Sequence, residues 1–119
     1  TAGQLRVHRV AAAIDAGMVV HPDTVRAQVE SAVGHGLSML LGEKLTLVDG
    51  AVQQSNFHDY NLLPPSAMPE VTTVIVPSTE PPGGVGEVGL PPLPGAVCNA
   101  IFAATGKRIR SLPLGAQLA

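Results

Sequence analysis

Residues 81–95 read PPGGVGEVGLPPLPG, with five prolines, five glycines and a single charged side chain, Glu87. A carboxylate acts as a general base when it is held at the wall of a pocket and partly stripped of water. Gly83, Gly84, Gly86 and Gly89 permit backbone conformations and close approaches closed to other residues, and the flanking prolines remove chain freedom. Such a loop can fix Glu87 at a pocket edge. The competing reading is the ordinary one for a glutamate in a glycine-rich loop, a solvated surface group. The spacing is not that of a Walker loop, which ends in GK[ST], nor of a GxGxxG turn, so a phosphate is not the expected ligand.

The remaining reactive side chains are sparse. His8, His21, His35 and His58 form no HExxH pair, and the one cysteine, Cys98, excludes an internal disulfide or a cysteine-ligated iron–sulfur cluster within this chain. A metal held by protein ligands alone is not expected. His35 sits where it can line a site, although packing and surface roles are commoner for such a histidine. His58-Asp59 can orient a proton, or simply make local turn bonds. Gln28 offers amide donors and acceptors at the border of an apolar helical stripe, with a solvated helix surface as the alternative. Cys98 reads as a small core residue.

The elements that must position these groups are legible as a pattern. Residues 5–14 (LRVHRVAAAI) predict a mostly buried strand that ends at Ala16-Gly17. Val25, Val29, Val33, Leu37 and Leu41 recur every fourth residue and predict an amphipathic helix, capped by Asp23 or Thr24 and closed near Gly42. Gly34 and Gly36 weaken that helix unless another backbone lies close against it. Asp49-Gly50 between apolar segments predicts a two-residue hairpin turn with Val48 opposite Ala51 and Leu47 opposite Val52. The stretch EVTTVIVP predicts a further strand. Leu93, Val97, Ile101 and Ala104 predict a second helix, with Pro94 in its first turn and Gly106 at its C-terminal cap. The order β-α-β-β-β-α implies one α+β domain over residues 1–119, a two-layer arrangement of a small mixed or antiparallel sheet and two main helices.

Composition bounds the partners. Of 119 residues, 45% are apolar and only 13% charged, so part of the exterior is expected to be covered by another domain or subunit. A net charge of -2 and 3% aromatics speak against nucleic acid, and neither a membrane span nor a signal-peptide layout is expected.

The loop and its sequel, GGVGEVGLPPLPGAVCNAIFAATGKRIRSLPL, together with RVHRVAAAIDAG, HPDTVRAQVE and QSNFHDY, resemble the molybdenum hydroxylase large subunit of the xanthine dehydrogenase and aldehyde oxidase family. The likeness is greatest to its bacterial isoquinoline- and aldehyde-oxidising members, and covers nearly the whole chain in order. The resemblance implies the C-terminal portion of a molybdopterin-binding domain and a molybdenum–pyranopterin cofactor, in bacteria often a cytosine dinucleotide. It implies two partners, the remainder of the large subunit and a small [2Fe-2S] subunit, in either the bacterial cytoplasm or periplasm. By the same resemblance Glu87 is the general base for hydroxylation of an aldehyde or N-heterocycle with water-derived oxygen. Gln28 hydrogen-bonds beside the pterin, and Gly86 brings the backbone close to the metal centre. Ser31, His35, Val88 and Gly95 depart from the residues usual at their positions. The chain alone is expected to retain no cofactor and no activity. The alternative is a non-catalytic docking module of the same fold.

Overall fold

A computed structural model describes residues 5–118. Strand β1, Arg9–Ile14, is followed by helix α1, Pro22–Leu41, the short strands β2, Leu47–Val48, and β3, Ala51–Val52, then strand β4, Glu70–Ile75, and helix α2, Pro92–Thr105. Single 3-10 turns occupy Pro65–Ala67 and Gly115–Leu118. Two helices and small sheets make an α+β domain. The single sheet expected from the sequence is instead two separate sheets: β1 pairs in parallel with β4, and β2 pairs only with β3. The reason is local, because β2 and β3 have just two residues each, spent on pairing with one another across their own turn.

The regular part of the first strand is shorter than the apolar run and alternates rather than being mostly buried. Val10, Ala12 and Ile14 turn inward, whereas Arg9, Ala11 and Ala13 are exposed. Only its inner face has a neighbouring layer, as expected for a sheet covered on one side. The hairpin adopts the register read from the sequence, Leu47 with Val52 and Val48 with Ala51. Asp49 and Gly50 both take positive φ, 49° and 79°, as a type I′ turn requires.

The N-terminal cap of α1 is His21, not Asp23 or Thr24. Its Nδ1 accepts from the Thr24 amide at 3.2 Å, and Asp23 instead holds Arg26 at 2.9 Å. Gly42 closes the helix, its amide donating to the Ser38 carbonyl at 3.0 Å. The helix glycines are met by side chains rather than by a backbone. A Cβ on Gly36 would stand 2.7 Å from Leu93 Cδ2, and one on Gly34 3.3 Å from Met68 Sδ. Ser38, a buried hydroxyl, is satisfied by the Leu63 amide at 2.8 Å.

Helix α2 buries Leu93, Val97 and Ile101 against Val33, Leu37 and Leu40 of α1. Ala104, expected on that stripe, is exposed. Gly106 ends the helix at φ 73°, and Arg108 folds back over the Phe102 ring at 3.4 Å. Cys98 packs partly buried against the same core. Among the described residues no helix is long and apolar enough to cross a membrane.

Residues 76–91 connect β4 to α2, and backbone bonds tie them down. Val76 donates to the Ile14 carbonyl at 2.8 Å, Met18 to that of Glu80 at 2.9 Å, and Gly83 to that of Ala16 at 2.8 Å. These bonds need a sharp turn after β1. Gly17 supplies it at φ 68°, and a Cβ there would run into the Pro81 carbonyl oxygen. Gly17→Ala therefore combines left-handed strain with a backbone collision. It is expected to cost about 1–3 kcal/mol and to expose residues 76–91 to protease, read by urea denaturation and limited proteolysis. Unchanged stability and cleavage would contradict this account of the turn. Leu40, fully buried with its carbonyl accepting the Leu114 amide at 2.8 Å, is the centre of the core. Leu40→Ala is expected to lower the unfolding free energy by about 2–5 kcal/mol.

Candidate functional site

The anchored loop next passes along α1. A Cβ on Gly89 would stand 3.0 Å from the Ala32 Cβ, so a side chain there would need loop or helix to give by a few tenths of an ångström. At Gly86 a Cβ would lie 3.7 Å from Gln28 Nε2, an ordinary contact distance. The Glu87 carbonyl accepts the Leu90 amide at 3.0 Å, a tight turn that redirects the chain into α2. Gly86 and Glu87 are thus held beside α1 by the bonds to the turn after β1 on one side and by the Gly89 contact with Ala32 on the other.

Between loop and helix lies a cleft of about 260 Å³, lined by Ser31, Ala32, His35, Met39 and Glu43 from α1 and its exit, and by Gly86, Glu87 and Leu90 from the loop. Gln28 sits one turn before Ser31 and Ala32. The structure brings all three sequence-derived site residues, Gln28, Gly86 and Glu87, to this loop–helix junction. The two carboxylates of the cleft differ. Glu43 is engaged, its Oε2 accepting the Tyr60 hydroxyl at 2.9 Å, and that bond pushes the Tyr60 phenol above its ordinary range. Glu87 is exposed and has no side-chain partner among the described residues. The loop positions this carboxylate without burying it. The Gln28 amide, half-buried, likewise has no partner among the described residues.

His35 donates from Nδ1 to the Ser31 carbonyl at 2.9 Å, because a carbonyl can only accept; the other ring nitrogen of the neutral tautomer is then an acceptor. Ser31, His35, Met39 and Glu43 were not singled out together by sequence. Their signal was available, for Gln28, Ser31, Ala32, His35, Met39 and Glu43 follow at three- and four-residue steps along one helix face beside the apolar stripe.

His58-Asp59 lies elsewhere and is a turn device. Asp59 accepts from the Ser55 amide at 2.8 Å, the Ser55 hydroxyl at 3.0 Å and the Asn56 amide at 3.0 Å, while His58 is 3.6 Å away. The backbone bonds from Asn56 and Ser55 hold its carboxyl below the usual carboxylate range. His8 lies just before β1, away from the cleft. Among the described residues, no three His, Cys, Asp or Glu side chains gather as a metal-holding group.

Residues 1–69 match the family model of the molybdopterin cofactor-binding domain, a span that contains Gln28 and stops before Gly86 and Glu87. The chain is 42% identical to isoquinoline 1-oxidoreductase subunit beta of Brevundimonas diminuta over 97% of its own length and 15% of that protein's. It is 39% identical to a membrane-bound aldehyde dehydrogenase (pyrroloquinoline-quinone) of Gluconacetobacter polyoxogenes over 94% of its length and 14% of that protein's. The chain thus spans about one seventh of these relatives. The fold is shared with quinoline 2-oxidoreductase of Pseudomonas putida 86, at a TM-score of 0.81 and 22% identity over 92% of this chain and 15% of that one. The family model covers more than half the sequence, in the part that holds β1 and α1, and on that ground the chain belongs to the molybdopterin cofactor-binding domain family.

Proposed function

We propose that this chain is the segment of a molybdenum–pterin oxidoreductase that supplies its general base, Glu87, with Gln28 and Gly86 contacting the cofactor. One observation carries the reading: the glycine loop is tied to the turn after β1 and packed against α1, so that an unpartnered carboxylate stands on the rim of a cleft, beside a glycine and an unpartnered amide. The relatives support it by name, since one is an isoquinoline oxidoreductase subunit and another an aldehyde dehydrogenase. In this reading residues 1–119 are the C-terminal part of the molybdopterin-binding domain. The remainder of the large subunit and a small [2Fe-2S] subunit are the partners, and the pterin carries a cytosine dinucleotide.

The donor set fits such a group. The junction offers the amide of Gln28, the hydroxyl of Ser31 and the side-chain-free backbone at Gly86. These are partners for the polar edge of an organic cofactor that brings its own metal ligands.

When bound, the molybdenum–pterin group supplies the two-electron acceptor for substrate oxidation. Gln28 would hold it by hydrogen bonds from its side-chain amide, and Gly86 would leave the loop backbone open to it. A Glu87 carboxylate oxygen takes the proton of the water-derived oxygen as that oxygen adds to the electron-poor C–H carbon of an aldehyde or N-heterocycle. Glu87 is exposed here, so its desolvation comes from the polypeptide that closes over the cleft, and proton transfer by a base so placed contributes about 10²–10⁴-fold in rate.

In the parent enzyme, Glu87→Gln is expected to lower turnover by about 10²–10⁴-fold while the molybdenum content stays at the wild-type level. Turnover within about tenfold of wild type would remove Glu87 from the role. Cofactor released from the parent protein distinguishes a cytidine-containing pterin from the quinone in one relative's name, and recovery of the quinone alone would overturn the reading. The purified chain by itself is expected to hold no stoichiometric molybdenum and to reduce no dye with aldehydes or N-heterocycles; metal retention with turnover would show that the chain is complete.

A further inference from the structure

A groove of about 840 Å³ lies away from the Glu87 cleft, between β1 and α2. One of its walls is the edge of β1 that faces away from β4. In the parallel ladder the His8 carbonyl accepts the Glu70 amide at 3.0 Å and the Ile14 carbonyl accepts the Val76 amide at 2.8 Å. In such a ladder every second residue bonds to the neighbour, so the backbone groups of His8, Val10, Ala12 and Ile14 serve β4. Those of Arg9, Ala11 and Ala13 point to the open side. Among the described residues no strand pairs there.

The other wall is α2. It contributes Ala96, Ala100 and Ala104, exposed methyl groups on successive turns that leave room for side chains reaching across from an added strand. Leu5 and Val7 extend the apolar floor, packed partly buried against the main core. The rim is basic: Arg6 and Arg9 line the groove, and none of its described lining residues is a carboxylate. A two-stranded parallel sheet is also an incomplete structure, because parallel sheets are ordinarily buried and an open edge invites pairing.

We propose that the groove is a docking site for one further β-strand, which pairs with the open edge of β1 and lays its alternate side chains on α2. The occupant is an extended segment of the same parent polypeptide, alternating apolar and acidic residues. The apolar residues match the alanine face of α2, and the acidic ones match the basic rim. Its source follows from length, since this chain spans only 15% of a relative to which it is 42% identical. The inference rests on the reading of the chain as part of a larger subunit. The function of the strand is to complete the sheet and to fix β1, and with it the turn at Gly17 that anchors the Glu87 loop.

The test is residue-resolved amide hydrogen exchange on the parent protein. With the strand in place, the Ala11 and Ala13 amides exchange as slowly as those of Val10 and Ala12, within about tenfold. Ala11→Pro then removes a ladder donor and lowers the melting temperature of the parent protein, although it breaks no bond within this chain. Exchange at Ala11 and Ala13 as fast as at exposed amides overturns the proposal. So does protection that survives Ala11→Pro with the melting temperature unchanged, since the edge would then be covered by something other than a paired strand. Molybdenum content and turnover of the same preparation keep the two readings apart. An active, metal-loaded protein with an unprotected edge sinks the docked strand alone, and a protected edge in a protein that binds no pterin sinks the cofactor reading alone.

Discussion

The site depends on how closely the glycine- and proline-rich segment lies against the turn after β1 and against α1. Two backbone bonds, Met18 to Glu80 and Gly83 to Ala16, set its start, and the contact of Gly89 with Ala32 sets its end. Neither contact accepts a side chain without a shift, since a Cβ at Gly17 or Gly89 meets backbone or helix. The glycines are therefore less a source of flexibility than a condition for close packing. Glu87 is placed by main-chain geometry, which leaves its carboxylate free of internal partners. A side chain already bonded within its own chain, as Glu43 is to Tyr60, would be less available to an external group.

How much of this was legible in the sequence follows from the range of each interaction. The Asp49-Gly50 hairpin was readable down to its register, because turn chemistry is decided by adjacent residues. The left-handed cap at Gly106 was readable for the same reason. The cap of α1 was misread, because the ring nitrogen of His21 does the work that Asp23 or Thr24 would ordinarily do. Pairing of β1 with β4 spans the helix and the hairpin between them, and no local signal said that β2 and β3 would stay outside that sheet. Gly34 and Gly36 were recognised as places of close approach, but only the fold shows that Met68 and Leu93 are what approaches.

The candidate site shows the same division. Glu87 stood out because one charge among prolines and glycines is chemically conspicuous, and Gln28 because it interrupts the border of an apolar stripe. Their proximity is a tertiary fact. The family model reaches Gln28 but ends before Gly86 and Glu87, whereas the likeness to the isoquinoline 1-oxidoreductase subunit runs over 97% of the chain. Helical spacing would have added Met39 and Ser31 beside His35, had the face beside the stripe been followed as well as the stripe itself.

The small hairpin β2–β3 stands with all four of its strand residues exposed, Leu47 at 68%, and nearby Phe57 is 78% accessible. Oily side chains bare on both faces of so short a ribbon, in a polypeptide with few charges to keep copies apart, make solubility a collective property. Produced without whatever normally shields that ribbon, molecules of this chain would be limited in solubility less by any failure to fold than by their tendency to stick to one another.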